Sequence, residues 1–580
     1  MKALPILFAS AIASKNGGSG CYTCMIISTW VEQYSRANNI RYDVGMSQFC
    51  QKLGRLEPIC QEFSADLGAY FQEAFELGNT VDSLCYCMGE CYISEGHRYC
   101  SFYPEKENDG CPANTDQIKI SLMEMKSRLD DFCMEGPENF AICKGFASFG
   151  FEDWLEEIVD RLDRHVPAID DDGDLFGLRT GGARGFWWRA KDCIDQEDTI
   201  YPGQPPVRGD RFIDANCNGI SGMENDVSIE DTYCADSGAI GVAVLGDSAG
   251  AHFSIPEVWF TPHLWTEESM PFKDAEIALA NELDWPHLSW ITGFKGNCWE
   301  TGPKSWVDGK YVDSIYSRLV ERNRCNLNDF INQANNGCKS SSMADKTIFG
   351  LGRKHLDKPM LVFLSLVGND VCNTKINTEE YMTTPERFYE KTLESLNYLE
   401  TILPEGSAVV VTGLAQGELL FEILAKADRL HPLGELDQDA TYEDFYNYIE
   451  CLEVSPCTGW MSSDQSRRDF TTERAQNLTA TAEILVEDQR NNFNNFELIY
   501  MDYPLDVAFE IHEKNGGELW QGIETTDGFH PSHTAHVLLA ELFWDRLMRD
   551  YPHILGPVNP HNEKLAALQN EQLLTCNGDE

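Results

Sequence analysis

Cys21, Cys24, Cys50, Cys60, Cys85 and Cys91 crowd the start of this chain, and any fold for that stretch has to account for them. The whole chain carries 21 cysteines with no convergent His/Cys metal pattern. That usage points to an oxidising compartment, where thiols pair as disulfides. The N-terminus agrees. Met1-Lys2 is followed by an apolar run from Ala3 to Ala13 ending in small residues. This reads as a secretory signal over residues 1–14, too short for a bilayer span of about 20 residues. The expected destination is outside the cell, or the lumen of a lysosome or vesicle. Six cysteines allow more pairings than spacing alone can decide between.

The segment that holds them reads as helical. Between Glu57 and Leu77, the residues Ile59, Phe63, Leu67, Tyr70, Phe71, Ala74 and Phe75 recur at intervals of three and four. That is the stripe of an amphipathic helix. Met25-Ile26-Ile27 and Trp30-Val31 add a second apolar patch. A CxxC start, a middle pair ten residues apart and a closing pair six apart resemble a saposin B-type domain, over residues 17–101. The resemblance implies nested disulfides, Cys21–Cys91, Cys24–Cys85 and Cys50–Cys60. It also implies lipid handling at a membrane or micelle surface. The alternative is a stapled bundle that only props up its neighbour. From Cys21 to Cys91 there are four basic and nine acidic residues, so contact with lipid has to be apolar or cation-assisted. Cys87 has no place in this pattern.

Residues 102–166 read as a connector, helical around Gln117–Phe132, with Cys133 and Cys143 close enough to close a local loop. Oxygen ligands then concentrate in residues 167–235. The clusters are Asp170, Asp172 and Asp174; Asp192, Asp195 and Asp198; and Asp214, Asn216 and Asn218 with Glu224 beyond. Alternating oxygen side chains followed by a turn can wrap a hard cation, so structural calcium is expected and zinc is not. The second cluster resembles an extracellular calcium repeat, with Ile194 in place of an acidic residue. Cys193 and Cys217 sit within two of these loops and are candidates for a disulfide. The competing reading is a solvated acidic loop.

From residue 236 to 556 the texture becomes that of an α/β domain. Apolar runs at Ala239–Leu245, Leu361–Val367, Ala408–Thr412 and Phe496–Met501 alternate with helical stretches such as Pro385–Leu403 and Ser532–Met548. This predicts a doubly wound, largely parallel sheet sandwiched by helices. Residues 557–580 form a tail. The formal charge of -49 argues against nucleic acid as a partner.

The first apolar run feeds directly into Gly246-Asp247-Ser248-Ala249-Gly250. A serine at a strand-to-helix turn stands exposed above the sheet edge. It needs a base, and the base needs an orienter. Asp527-Gly528-Phe529-His530-Pro531 supplies both at three-residue spacing. Gly368-Asn369-Asp370 and Asn335-Asn336-Gly337 offer amides for an oxyanion. Gly246-x-Ser248-x-Gly250 also fits the nucleophile elbow of α/β-hydrolases, but there the acid and the histidine come from separate loops.

The four-part set resembles the SGNH, or GDSL-type, hydrolases. Carried over by position, Ser248 is the nucleophile, His530 the base and Asp527 its orienter. Ser248, Gly337 and Asn369 then form the oxyanion hole. A wider resemblance covers nearly the whole chain. The saposin-like module, the acidic segment, Gly246–Phe253, Asn281–Pro286, Gly368–Cys372, His431–Gly434, Ser455–Ser463 and Asp527–Pro531 are similar to the acyloxyacyl hydrolase family. That resemblance implies a lipase that removes secondary acyl chains from lipid A of bacterial lipopolysaccharide and acts on other acyl lipids. It implies no organic cofactor. It also implies cleavage into two disulfide-linked chains, with Cys100 and Cys451 as the candidate link. The alternatives are a broad phospholipase or lysophospholipase on the same scaffold, and an inactive lipid carrier. Asn477-Leu478-Thr479 is a glycosylation sequon.

Overall fold

The four helices of the N-terminal module are α1 (Gly18–Ala37), α2 (Tyr42–Cys50), α3 (Glu57–Glu76) and α4 (Val81–Met88). The computed structural model describes residues 15–104, 110–135, 139, 164–178, 185, 187–272, 275–294, 310–436 and 439–569. The signal-like residues 1–14, Cys143, about half of the connector and the end of the tail lie outside these. Helix α3 buries Phe63, Leu67, Tyr70, Phe71 and Ala74, the face its periodicity marks out. Disulfides join Cys21 to Cys91, Cys24 to Cys85 and Cys50 to Cys60. Cys87 reaches beyond the module and pairs with Cys111. That bond fixes the approach to α5 (Thr115–Cys133), which packs on α3 and α4. Cys133 is itself disulfide-bonded.

The module is joined to the rest of the chain at several points. Cys100 is disulfide-bonded to Cys451, 351 residues away in sequence. Buried Asp82 accepts the backbone N–H groups of Phe102 and Tyr103 on one carboxylate oxygen. Burial pushes its carboxyl up to about 7, with those two N–H groups pulling the other way. Trp30 of α1 is 2% exposed and packs against Phe49 of its own module and against Phe260, Trp265 and Phe272 of the next. Gln33 and Asn38 donate side-chain N–H groups to the carbonyls of Leu433 and Trp265.

The second part of the chain is built on a five-stranded sheet. Its strands are β1 (Gly241–Gly246), β2 (Phe330–Asn332), β3 (Met360–Ser365), β4 (Ser407–Thr412) and β5 (Phe496–Met501). All neighbours are parallel, in the order β2-β1-β3-β4-β5. Every residue of β1, β3 and β4 is buried. This is why they read as unbroken apolar runs: a parallel sheet is covered on both faces. β5 lies at an edge and exposes Glu497, a charge that discourages further pairing. β2 has only three residues, too few to leave a signal in the sequence.

The flanking helices are α6 (Ser248–Ala251), α7 (Pro385–Ile402), α8 (Tyr442–Cys451), α9 (Gln465–Gln489), α10 (Leu505–Lys514) and α11 (His533–Asp550). Helix α7 starts where Thr384 caps the N–H of Arg387 and Pro385 occupies the first turn. Helix α8 starts on a reciprocal capping box between Thr441 and Asp444. Cys234–Cys325 and Cys372–Cys457 staple loops around the sheet. No described helix is long and apolar enough to cross a membrane. The seam around Trp30 leads to a stability expectation. Trp30→Ala removes a buried indole shared by both parts and should cost about 3–5 kcal/mol, read by chemical denaturation.

Candidate active site

Strand order places β1 between β2 and β3, so the chain leaves β1 in two directions. At such a switch point the loops beyond the strands' carboxyl ends splay apart and leave room for a ligand. Ser248 stands there, directly after β1. Gly246 is required for close packing, because a Cβ on it would lie 2.7 Å from the carbonyl oxygen of Ser365 on β3. Asp247 caps α6 by accepting the N–H of Ala249.

The chain returns to this edge much later. The loop before α11 brings His530 Nε2 to 2.8 Å from Ser248 Oγ. His530 Nδ1 is 2.5 Å from Asp527 Oδ2. The other oxygen of Asp527 accepts the N–H groups of Phe529 and His530, which fixes the carboxylate beside the ring. Ser248, His530 and Asp527 are 8%, 8% and 5% exposed, so the three are shielded from water and still reachable. An imidazole held between a hydroxyl and a buried carboxylate can take the hydroxyl proton and carry the resulting charge.

Two further loops are drawn to the same edge. Asn335 N–H donates to the carbonyl of Gly246, which sets the Asn335–Cys338 turn beside the serine. Gly337 occupies that turn at φ +78°, a conformation glycine adopts without strain. Asn369 follows β3 and is 5% exposed. Asp247 Oδ2 accepts the N–H groups of Val367 and Gly368, tying the Asn369 loop to the nucleophile turn. Asp370 accepts both the N–H and the hydroxyl of Ser340, tying the Asn369 loop to the Gly337 turn. Burial raises the carboxyls of both Asp247 and Asp370, and the donors around them oppose that rise. These two linking roles are absent from the sequence reading. Each aspartate lies inside a motif, but which loops it joins is a tertiary fact.

Beneath α6 lies a pair of neutral histidines. The rings of His252 and His536 stack at 3.8 Å. His252 Nδ1 meets the carbonyl of Leu288 at 2.6 Å, and His536 Nδ1 accepts the N–H of Trp290. Burial holds both far below the usual imidazole range. Glu524, hydrogen-bonded to Ser254, is pushed up to about 8 by burial and by the charge of Asp527.

The acidic segment divides in two. Carboxylate oxygens of Asp170, Asp172 and Asp174 lie within 4.8 Å of one another, and so do those of Asp172, Asp192 and Asp195. Asp172, Asp174, Asp192 and Asp195 each bury one oxygen that has no hydrogen-bond donor. Burial, then repulsion between neighbours, pushes Asp174 and Asp192 up to about 7. An all-oxygen set with buried, undonated atoms fits a hard cation such as calcium. Asp198 lies at the surface. Cys193 and Cys217 are disulfide-bonded and clamp this loop to the next.

In that next loop, Asp214 accepts the N–H groups of Asn218 and Gly219. Asn216 and Asn218 donate side-chain N–H groups to Glu230, an acid the sequence reading did not select. Glu224 departs from the expected ligand set. It pairs instead with Lys564 and the hydroxyl of Tyr233 at the surface. The reason is distance in the fold: the short ladder of Met223–Glu224 with Val227–Ser228 turns Glu224 outward and brings Glu230 in.

Comparison with known proteins is consistent with this geometry. A family model described as GDSL-like Lipase/Acylhydrolase matches residues 242–543. The acyloxyacyl hydrolase of Homo sapiens is 34% identical over 568 residues, covering 96% of this chain and 94% of that protein. The acyloxyacyl hydrolase of Mus musculus is 34% identical over 573 residues, with the same coverage of 96% and 94%. The acyloxyacyl hydrolase of Oryctolagus cuniculus is 34% identical over 560 residues, covering 95% and 93%. The chain belongs to the acyloxyacyl hydrolase family and is a lipid esterase of the GDSL type, with its sheet domain joined to a disulfide-stapled helical module.

Proposed function

We propose that this protein hydrolyses acyl esters of lipids through Ser248, His530 and Asp527, and that secondary acyl chains on lipid A of lipopolysaccharide are its substrate. The observation that carries the reading is the unbroken hydrogen-bond chain from Ser248 Oγ through His530 to Asp527 at the sheet's switch point. The substrate assignment rests on the match with acyloxyacyl hydrolases over nearly the whole of both chains.

The mechanism is two acyl transfers. His530 Nε2 takes the proton of Ser248 as its oxygen attacks the ester carbonyl. The resulting oxyanion is met by the N–H groups of Ser248 and Gly337 and by the side-chain amide of Asn369. The tetrahedral intermediate collapses, the alkoxide of the lipid leaves with the proton from His530, and an acyl-serine remains. Water activated by His530 then releases the fatty acid and restores Ser248. Asp527 stabilises the imidazolium in both steps without taking its proton.

The helical module gives the reading its lipid side. Its interior holds an apolar cavity lined by Ile27, Phe49, Leu56 and Phe71, and α5 contributes Leu122 and Met125. The cavity is apolar but holds only about 60 Å³, so an acyl chain would enter it only if the helices moved apart; its apolar lining supports a role for the module in meeting lipid at a membrane or micelle. We assign a structural calcium to Asp170, Asp172, Asp174, Asp192 and Asp195, where it would neutralise crowded carboxylates and offset part of the formal charge of -49. The Asp214, Asn216 and Asn218 loop is the second candidate. The disulfides suit a secreted or lumenal protein. Asn477 is exposed on α9 and is open to a glycan. Cleavage within the connector would leave Cys100–Cys451 as the link between two chains.

The deciding assay is fatty-acid release from lipid A and from phosphatidylcholine, side by side. Faster release from lipid A is expected; equal or faster release from phosphatidylcholine would favour the broad phospholipase. Ser248→Ala should lower turnover by roughly three or more orders of magnitude. Asn369→Ala should raise the barrier by about 3 kcal/mol through kcat. Chelation of divalent cations should lower the melting temperature, and an unchanged melting curve would remove the calcium assignment.

A further inference from the structure

The loop that carries Asp527 and His530 has no regular structure of its own, so something must hold it. Three buried side chains do so by taking three of its carbonyls. Tyr442 hydroxyl donates to the carbonyl of Thr525 at 2.6 Å. His431 Nε2 lies 3.2 Å from the carbonyl of Thr526. Its Nδ1 accepts the N–H of Leu433, so the ring proton sits on Nε2 and points at Thr526. Tyr446 hydroxyl donates to the carbonyl of Gly528 at 2.7 Å. The contact at Gly528 is close: its φ is +62°, and a Cβ there would lie 2.6 Å from the Tyr446 hydroxyl oxygen.

The elements that carry these residues meet the N-terminal module and the segment just after it. Phe102 meets the His431 ring edge-on at 5.5 Å, and Phe445 stacks on it at 4.2 Å. Phe445 also packs against Tyr22 of α1. Gln33 and Tyr103 both donate to the carbonyl of Leu433, two residues beyond His431. Helix α8, which bears both tyrosines, ends at Cys451, and Cys451 is bonded to Cys100.

We propose that Tyr442, Tyr446 and His431 are positioning residues for the catalytic loop, and that the helical module serves hydrolysis by bracing them as well as by meeting lipid. This rests on the assignment of Asp527 and His530 as orienter and base. Buried carbonyls that lose their donors drive a loop to rearrange. The Asp527–His530–Ser248 chain tolerates little displacement, because transfer requires its atoms at hydrogen-bond distance. The module is therefore needed even for an ester with no lipid interface.

The test uses the full chain and a water-soluble short-chain p-nitrophenyl ester. In Tyr442→Phe/Tyr446→Phe, kcat should fall about tenfold or more with KM held within about twofold. Removing the tie with Cys100→Ser/Cys451→Ser should lower kcat on the same ester by several-fold. Circular dichroism and melting verify that each variant is folded, and Tyr446→Phe alone replaces the double variant if that one is not. Tyr500→Phe, whose hydroxyl bonds Asp502, is the control and should behave as wild type. A folded Tyr442→Phe/Tyr446→Phe variant with unchanged kcat overturns the proposal. Ser248→Ala that still turns over the ester would instead overturn the reading on which it rests.

Discussion

The pairing of β1 with β3 is the constraint on which the rest depends. Six consecutive residues of each strand are in parallel register, from Gly241 against Met360 to Gly246 against Ser365. Their backbone groups are buried and must be paired, so the register has no freedom to slip. Both strands therefore end level, and the loops beyond them, with Ser248 on one and Asn369 on the other, emerge at the same height. Asp247 then locks the two loops with hydrogen bonds that a shift of one residue would destroy.

The buried carboxylates divide into three kinds. Asp247 and Asp370 are satisfied by several donors and act as rivets between loops. Asp527 is satisfied by two backbone N–H groups and by the imidazole it orients. Asp172, Asp174, Asp192 and Asp195 each keep an oxygen without a donor, and burial penalises their charged form. The same side chain thus meets several backbone donors, an imidazole or mainly other carboxylates, according to where the fold places it.

Much of this was legible in the residues. The four long strands could be read because parallel strands buried on both faces are apolar throughout, and the amphipathic helix over Glu57–Glu76 because its apolar positions recur with the helical period. The serine and the Asp527–His530 unit were visible because local spacing sets their geometry. Other features left no such mark. β2 is too short for a pattern. Glu224 lies nearer the Asp214–Asn218 cluster in sequence than Glu230 does, yet Glu230 meets Asn216 and Asn218 while Glu224 pairs with Lys564. Cys87 finds Cys111 outside the motif that seemed to exclude it.

His431 shows where the division falls. In the sequence it is one residue of a four-residue motif with no evident task. Folding places it between Phe102 and Thr526, 329 and 95 residues distant respectively, the second figure being the separation across its hydrogen bond. By itself the sequence determined the class of fold, the family and the local units of the candidate site, because those depend on local period and on motifs that stay local. Only the tertiary structure decided which buried donor meets which carbonyl and how the module reaches the catalytic loop. Those pairings join residues 82 to 400 positions apart, and no local pattern in the chain encodes them.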